Sequence, residues 1–444
     1  MMRVLLLNPP SYKDFDSGAT SRWPARREIV SFWYPVWLCY PAGLIKNSRV
    51  LDAPAEGMEL AEVLEVAKEY NMIVMFTSTP SFKRDAKIAS IIKREHPIKP
   101  IIGFVGPHPT VLPEETLLNA KDVDFVVRRE FDYTLKEVAE GRPWDEILGL
   151  SYKKDGKVIH NPNRPLIEDL DSLPFVTDIY YRDLNYKNYD IPFLLYPYVA
   201  LFSGRGCPGR CIYCLWPQTI SSHRYRVRSP ENVVAEMEHA LKLFPDLGEF
   251  YFDSDTFTAN ADWISRFCEL VKPLNTTWSA TSRANVKYEL LKKMKDSGLR
   301  LLVVGYESGN REILKNIKKG ITPEMMRRFT KDCKELGIKI HGAFMLGLPG
   351  ESRETIEESI RFACELEPDT IQVSMAAVFP GTEFYDLCLK KGYFISDELV
   401  DEEGYQSFNL KYEDIDTAYI YSAVETFYKR FYYRPNRIAK TVLE

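Results

Sequence analysis

Tyr198-Val-Ala-Leu-Phe-Ser-Gly-Arg-Gly-Cys207-Pro-Gly-Arg-Cys211-Ile-Tyr-Cys214 is the stretch from which the fold of this 444-residue chain is read. It opens on an apolar run, Tyr198–Phe202, of the length of a buried strand. Gly204 and Gly206 then free the backbone to wrap closely, and three cysteines follow in a CxxxCxxC spacing. Three thiolates at this spacing can hold three irons of a [4Fe–4S] cluster and leave the fourth iron open to an outside ligand. Structural zinc is the plainer alternative, but zinc asks for four closed ligands. His223, the nearest candidate to complete such a set, lies beyond Pro217 in an unpatterned stretch.

Downstream, short apolar runs alternate with helical patterns, and the runs number six. They are Tyr198–Phe202, Glu249–Phe252, Thr277–Ala280, Arg300–Gly305, Lys339–Met345 and Thr370–Ser374. Ser229-Pro230 is a helix start, with Val233, Met237, Ala240, Leu241 and Phe244 on one apolar face behind it. Six βα units are too few for a closed eight-unit barrel, so residues 196–392 are expected to form an open, partial (βα)6 barrel. Polar groups recur where its strands end, at Asp253 and Asp255, Ser282 and Arg283, and Glu307 and Ser308. Gly347-Leu-Pro349-Gly350 follows the fifth run. Barrel enzymes build active sites at these ends. Cys268, Cys333, Cys364 and Cys388 fall within helical patterns and read as packing residues.

Upstream, Val4–Leu7, Arg49–Asp52, Met72–Thr77, Ile101–Val105 and Val123–Val127 alternate with amphipathic stretches such as Glu59–Tyr70 and Phe82–Glu95. This predicts a Rossmann-like parallel sheet over residues 1–150. Its ligand loops would be those after the strands: Asn8-Pro9-Pro10, Thr77-Ser78-Thr79-Pro80-Ser81 and Gly106-Pro107-His108-Pro109-Thr110. Lys153-Lys154-Asp155-Gly156-Lys157 reads as a hairpin turn, and the proline-bearing residues 151–195 as a linker. Residues 393–444 read as an appended helical segment.

Charge and composition narrow the function. With 58 Lys+Arg against 63 Asp+Glu the net charge is −5, which gives no reason to expect a nucleic-acid partner. No apolar stretch reaches the roughly 20 residues of a membrane span. The nearest is Ile29–Ile45, where Pro35 and Pro41 would break a helix, so an aromatic loop packed in a pocket or between domains is expected. Clustered rather than scattered cysteines suit a reducing, cytoplasmic setting and a metal site rather than disulfides.

A CxxxCxxC triplet at the end of the first barrel strand resembles the radical S-adenosylmethionine (SAM) enzymes. That resemblance implies SAM on the open iron and its cleavage to a 5′-deoxyadenosyl radical, with a reductant such as flavodoxin or ferredoxin. Asp253 and Asp255 would then face the SAM amine, Ser282 and Arg283 its carboxylate, Glu307 and Ser308 its ribose, and Gly347 and Pro349 its adenosyl group. A Rossmann-like domain ahead of such a barrel resembles the cobalamin-dependent members. It implies a corrin cradled by Asn8, Pro9, Ser78, Thr79, Gly106, His108 and Thr110. The chain has no DxHxxG motif, so the lower-face histidine which that motif supplies is absent.

Several longer strings resemble the hopanoid-biosynthesis-associated radical SAM proteins. They are Leu7-Asn-Pro-Pro-Ser11, Ser31-Phe-Trp-Tyr-Pro35, Arg129-Glu-Phe-Asp-Tyr133, Cys214-Leu-Trp-Pro-Gln-Thr219, His223-Arg-Tyr-Arg226, Gly305-Tyr-Glu-Ser-Gly309 and Gly320 after Asn316-Ile-Lys-Lys319. This resemblance implies a hopanoid lipid substrate and contraction of a glucosamine ring to a cyclitol ether. Methylation at carbon by a cobalamin-borne methyl group is the alternative enzyme reading, and an iron–sulfur electron carrier is a third of another class. The basic and aromatic run Phe427–Lys440 would suit peripheral contact with a membrane surface.

Overall fold

The fold is described from a computed structural model covering residues 2–12, 31–435, 437 and 438. Ile29 of the first apolar stretch and Lys440 of the last basic run lie outside the described residues.

Seven strands make the first sheet: β1 (Val4–Asn8), β2 (Ser48–Asp52), β3 (Met72–Phe76), β4 (Ile101–Val105), β5 (Phe125–Val127), β6 (Leu150–Lys154) and β7 (Lys157–His160). Their order is β2-β1-β3-β4-β5-β6-β7, parallel through β5 and antiparallel after it. β1 and β3 are buried at every position, as near-continuous apolar runs are when helices cover both faces. The strand order reverses between β1 and β3, which opens a ligand crevice at their carboxyl ends. The predicted hairpin at Asp155-Gly156 is present, but it closes β6 onto β7 and so extends this sheet. The linker reading fails there because the alternation of Leu150–Tyr152 continues the sheet core.

The second sheet starts at β8 (Tyr198–Leu201), beside which β9 (Gly204–Arg205) and β10 (Arg226–Val227) form a small antiparallel pair. It continues through β11 (Glu249–Phe252), β12 (Trp278–Ser282), β13 (Leu299–Glu307), β14 (Lys339–Leu346) and β15 (Thr370–Met375). All six main strands are parallel and lie in chain order from β8 to β15. A six-stranded parallel sheet wrapped by helices is the expected partial barrel, open between β8 and β15.

Two sequence expectations are corrected here. Val36–Leu44 is a helix despite Pro41 in its interior, because every residue from Val36 to Ala42 is buried and tertiary packing outweighs the lost backbone bond. It does pack between the two sheets: Trp37 stacks on Trp216 at 4.6 Å, meets Phe202 edgewise and lies tilted against Phe131. The C-terminal helix Thr417–Tyr432 covers the free edge of β15, with Phe427 and Phe431 fully buried. The hydroxyls of Tyr432 and Tyr428 accept from the backbone N–H of Ile371 and Val373 at 3.0 and 2.9 Å. These are the amides an edge strand leaves unpaired. Arg434 and Arg437 bond carbonyls of Cys364 and Pro368. Of the aromatics proposed for a membrane, Phe427 and Phe431 are thus turned inward, while Tyr433 is exposed. No described helix is long and apolar enough to cross a membrane.

Candidate active site

The cysteine loop leaves β9 and is held from four directions. Asp255, at the end of β11, accepts from Gly206 N–H at 2.7 Å and Ser221 Oγ at 2.6 Å. His223 turns its Nδ1 to the Gly209 carbonyl at 2.7 Å. Gln218 Nε2 lies within 3.3 Å of the carbonyls of Cys211, Ile212 and Cys214. Ile212 N–H donates to the Ile317 carbonyl at 3.1 Å, which ties this loop to the one after helix Arg311–Asn316. His223, weighed above as a zinc ligand, therefore serves the loop backbone through its Nδ1.

The donor set fits an iron–sulfur cluster. All three cysteines are free thiols, and Cys207 and Cys211 are buried. Gly209 N–H points at Cys207 Sγ at 3.4 Å, the kind of bond that tunes a cluster sulfur. A Cβ at Gly209 would stand 2.8 Å from Arg283 Nη1 and 3.2 Å from Cys207 Sγ, so the loop is built tightly around the sulfurs. Arg283 Nη1 lies 3.9 Å from Cys211 Sγ. Burial raises the Cys207 and Cys214 thiols above their ordinary value, and iron binding would take up the thiolates. Among the described residues no three His, Cys, Asp or Glu side chains converge on a point that suits one ion. A cluster asks instead for thiolates spread over separate irons.

Strand-end residues predicted for SAM divide by what they touch. Arg283 and Glu307 face the cysteine loop, and Asp253 stands half-buried at the end of β11. Glu307 has φ +65°, at a register shift between Gly305 and Glu307 in β13. Strain of this kind persists where the surroundings over-determine it. Asp255 is committed to the cysteine loop, as above. Ser308 Oγ shares a proton with Ser359 Oγ at 3.0 Å and accepts from Asn310 N–H, which makes it part of a helix start. Ser282 Oγ meets Thr258 Oγ1 at 3.1 Å. Gly347, at φ +86°, has Phe408 where a Cβ would be, only 2.2 Å away, so its glycine answers to packing as well as to any ligand.

Behind Pro349 lies Glu351, which the sequence reading missed. Its Oε2 accepts from Gly347 N–H at 2.6 Å and Leu348 N–H at 3.1 Å, while the buried Oε1 has no partner among the described residues. Burial lifts its carboxyl from 4.5 to about 8, against the pull of the two amides. The folded state thus holds a proton that the unfolded chain releases near its ordinary value. This stability is full below about pH 4.5 and is lost as pH rises through about 8. Glu351→Gln keeps the acceptor oxygen and cannot ionise. The melting temperature of the wild type relative to this variant should therefore fall between about pH 4.5 and pH 8. A difference that stays flat across that range in a calorimetric series would show a carboxylate already ionised.

At the crevice of the first sheet, hydroxyls crowd around one acid. Ser11 Oγ and Thr77 Oγ1 each donate to Asp85 at 2.5 Å, and burial lifts that carboxyl to about 7. Ser78 and Ser81 share hydroxyl and amide bonds beside it. Gly106, at φ +118°, brings its loop so near β3 that a Cβ would meet the Thr77 carbonyl at 2.4 Å. His108 stacks on Phe82 at 4.2 Å, and its Nδ1 lies 3.3 Å from Thr79 Oγ1. Among the described residues its buried Nε2 has no partner, and burial brings its pKa down to about 4, so the ring is neutral. A small-residue rim with an unmatched imidazole nitrogen fits a large polar cofactor such as a corrin. Asn8 and Thr110 are engaged elsewhere, with Asp52 and with Gly106 and Arg129. Pro9 lies between Asn8 and this group.

Comparisons with known proteins agree with both halves. The sequence profile of the radical SAM superfamily matches residues 201–363, and that of the B12 binding domain matches residues 22–139. An uncharacterized methyltransferase of Pyrococcus horikoshii is 30% identical over 461 residues, covering 100% of this chain and 95% of the relative. The anaerobic magnesium-protoporphyrin IX monomethyl ester cyclase of Rubrivivax gelatinosus is 28% identical, over 97% of this chain and 77% of its own. Among solved structures, the radical SAM methyltransferase TsrM of Kitasatospora setae superposes with a TM-score of 0.70 at 16% identity. That match covers 98% of this chain and 90% of the other.

Proposed function

The chain belongs to the radical SAM superfamily with a B12 binding domain, and from that premise we propose that it is a cobalamin-dependent methyltransferase. It is a radical SAM enzyme whose cofactors are a [4Fe–4S] cluster, SAM and cobalamin. The observation that carries the methyltransferase reading is the full-length likeness to the Pyrococcus horikoshii methyltransferase. When bound, the cluster supplies the electron that cleaves SAM, and the corrin supplies a carrier for a methyl group.

The residues divide the work by position. Cys207, Cys211 and Cys214 hold the cluster, and Arg283 offers a guanidinium for the SAM carboxylate beside it. Asp253 and Glu307, the latter also paired with Lys319, are the strand-end acids proposed to meet SAM. Ser78, Thr79, Gly106 and His108 line the corrin crevice. Helix Pro107–Val111 of that crevice packs against helix Leu215–Thr219, which begins right after Cys214. The two proposed cofactor sites would therefore lie beside one another, as transfer between them needs.

Hopanoid ring contraction loses its footing on the same residues. Trp216 and Gln218 of the Leu-Trp-Pro-Gln-Thr string pack the cysteine loop, and Glu130 and Asp132 of Arg129–Tyr133 pair with arginines Arg226 and Arg205. Such jobs serve the scaffold and say nothing of a lipid. Reconstituted, cobalamin-loaded protein is to be incubated anaerobically with reductant, methyl-deuterated SAM and bacteriohopanetetrol glucosamine or a small-molecule extract. The expected result is S-adenosylhomocysteine beside 5′-deoxyadenosine, with an acceptor heavier by one deuterated methyl group. A product of unchanged composition formed with 5′-deoxyadenosine alone would overturn methyl transfer and restore ring contraction.

A further inference from the structure

Lys319 is a buried cation that neither the fold nor the reading above requires. Lysine is almost never buried without a purpose for its charge, yet Lys319 is only 6% exposed. Its Nζ lies 2.7 Å from Glu307 Oε1 and 3.4 Å from the hydroxyl of Tyr213, the residue just before Cys214. The backbone is shaped to put it there. Lys318 and Gly320 take left-handed conformations, at φ +54° and +70°, which turn Lys319 inward between them. Arg283 clasps the Lys319 carbonyl while standing beside Cys211. From the opposite side, the strained Glu307 presents its carboxylate. Gly305 leaves the room, since a Cβ there would stand 2.4 Å from Glu307 Oε1 and 2.8 Å from Lys319 Nζ. The Ile212–Ile317 bond fixes this loop against the cysteine loop.

We propose that Lys319 is a positioning residue for the electrostatics of the cluster: held by Glu307 beside Tyr213, its ammonium sets the reduction potential by stabilising the reduced, more negative form. A unit charge in a buried site acts on its neighbours far more strongly than one in water. Reduction adds one electron from an external low-potential donor to the cluster, and a nearby fixed cation favours that state. Glu307 locks the lysine in place and offsets part of its field. The inference depends on the cluster and not on methyl transfer, so it can fail while that reading stands.

The test is a redox titration of the cluster in the reconstituted full-length protein without SAM, followed by electron paramagnetic resonance. Lys319→Met should move the midpoint to more negative potential. At a fixed solution potential the ratio of reduced to oxidised cluster should fall about tenfold, or about 59 mV for one electron. Lys319→Arg should restore most of the wild-type value, because it returns the charge and not the shape. Glu307→Gln should shift the midpoint the other way. A Lys319→Met protein with a full cluster and an unchanged midpoint would overturn the proposal. If that variant holds no cluster, Glu307→Gln decides, and a midpoint unchanged or more negative there overturns it equally.

Discussion

Replacing Cys207, Cys211 and Cys214 together by Ala leaves a folded chain that binds no iron–sulfur cluster and forms no 5′-deoxyadenosine from SAM. Each thiolate holds one iron, and the remaining iron has no other anchor in the loop. The loop itself should persist, because its bonds run through Asp255, Gln218 and His223 rather than through the sulfurs. Iron analysis, the visible absorption of the cluster and chromatographic detection of 5′-deoxyadenosine check the three parts. Activity losses here are total rather than graded. SAM cleavage at the wild-type rate in the triple variant would remove the radical SAM assignment of these residues.

Arg205→Ala should be the most destabilising single substitution outside the apolar cores. Arg205 is 1% exposed and grips Asp132 through two bonds of 2.8 and 2.9 Å. Glu130 pairs in the same way with Arg226, at 2.6 and 3.0 Å. The acids stand after β5 and the arginines on β9 and β10, so this balanced group of four charges joins the first sheet to the cysteine loop. Trp37 and Tyr40 present ring faces to the Arg205 guanidinium at 4.6 and 4.8 Å. Removing one partner of a buried pair strands the other charge, at a cost of about 3–5 kcal/mol. The urea midpoint of the apoprotein should fall accordingly, and cobalamin retention after desalting should fall with it. An Arg205→Met, Asp132→Leu double variant, which leaves no stranded charge between them, should recover much of the loss. A loss under about 1 kcal/mol in Arg205→Ala would mean that the pair is freely hydrated.

Local pattern was enough to read the parallel strands of both sheets, the open barrel and the cysteine triplet. Strand and helix periods, and the CxxxCxxC spacing, are short-range properties that a sequence states directly. Strand-end position also singled out Arg283, Glu307 and His108, because the chain direction in a βα unit fixes which end carries the ligands. Partners were another matter. Asp255 and Ser308 look like Asp253 and Glu307 in sequence, but a loop some 35–50 residues away claims Asp255, and Ser359 claims Ser308. Glu351 was invisible and Lys319 stood in a quoted string without a role, since a lysine or glutamate after a helix or turn reads as solvated until burial is known. The same holds for Pro41, which forbids a helix in isolation and sits inside one when both sides are packed. Sequence by itself determined the elements, their order and the cysteine triplet, whose signals lie within a few residues of one another. Only the tertiary structure decided which of the strand-end polar groups bind the scaffold, because that choice depends on neighbours from distant strands and on the water they exclude.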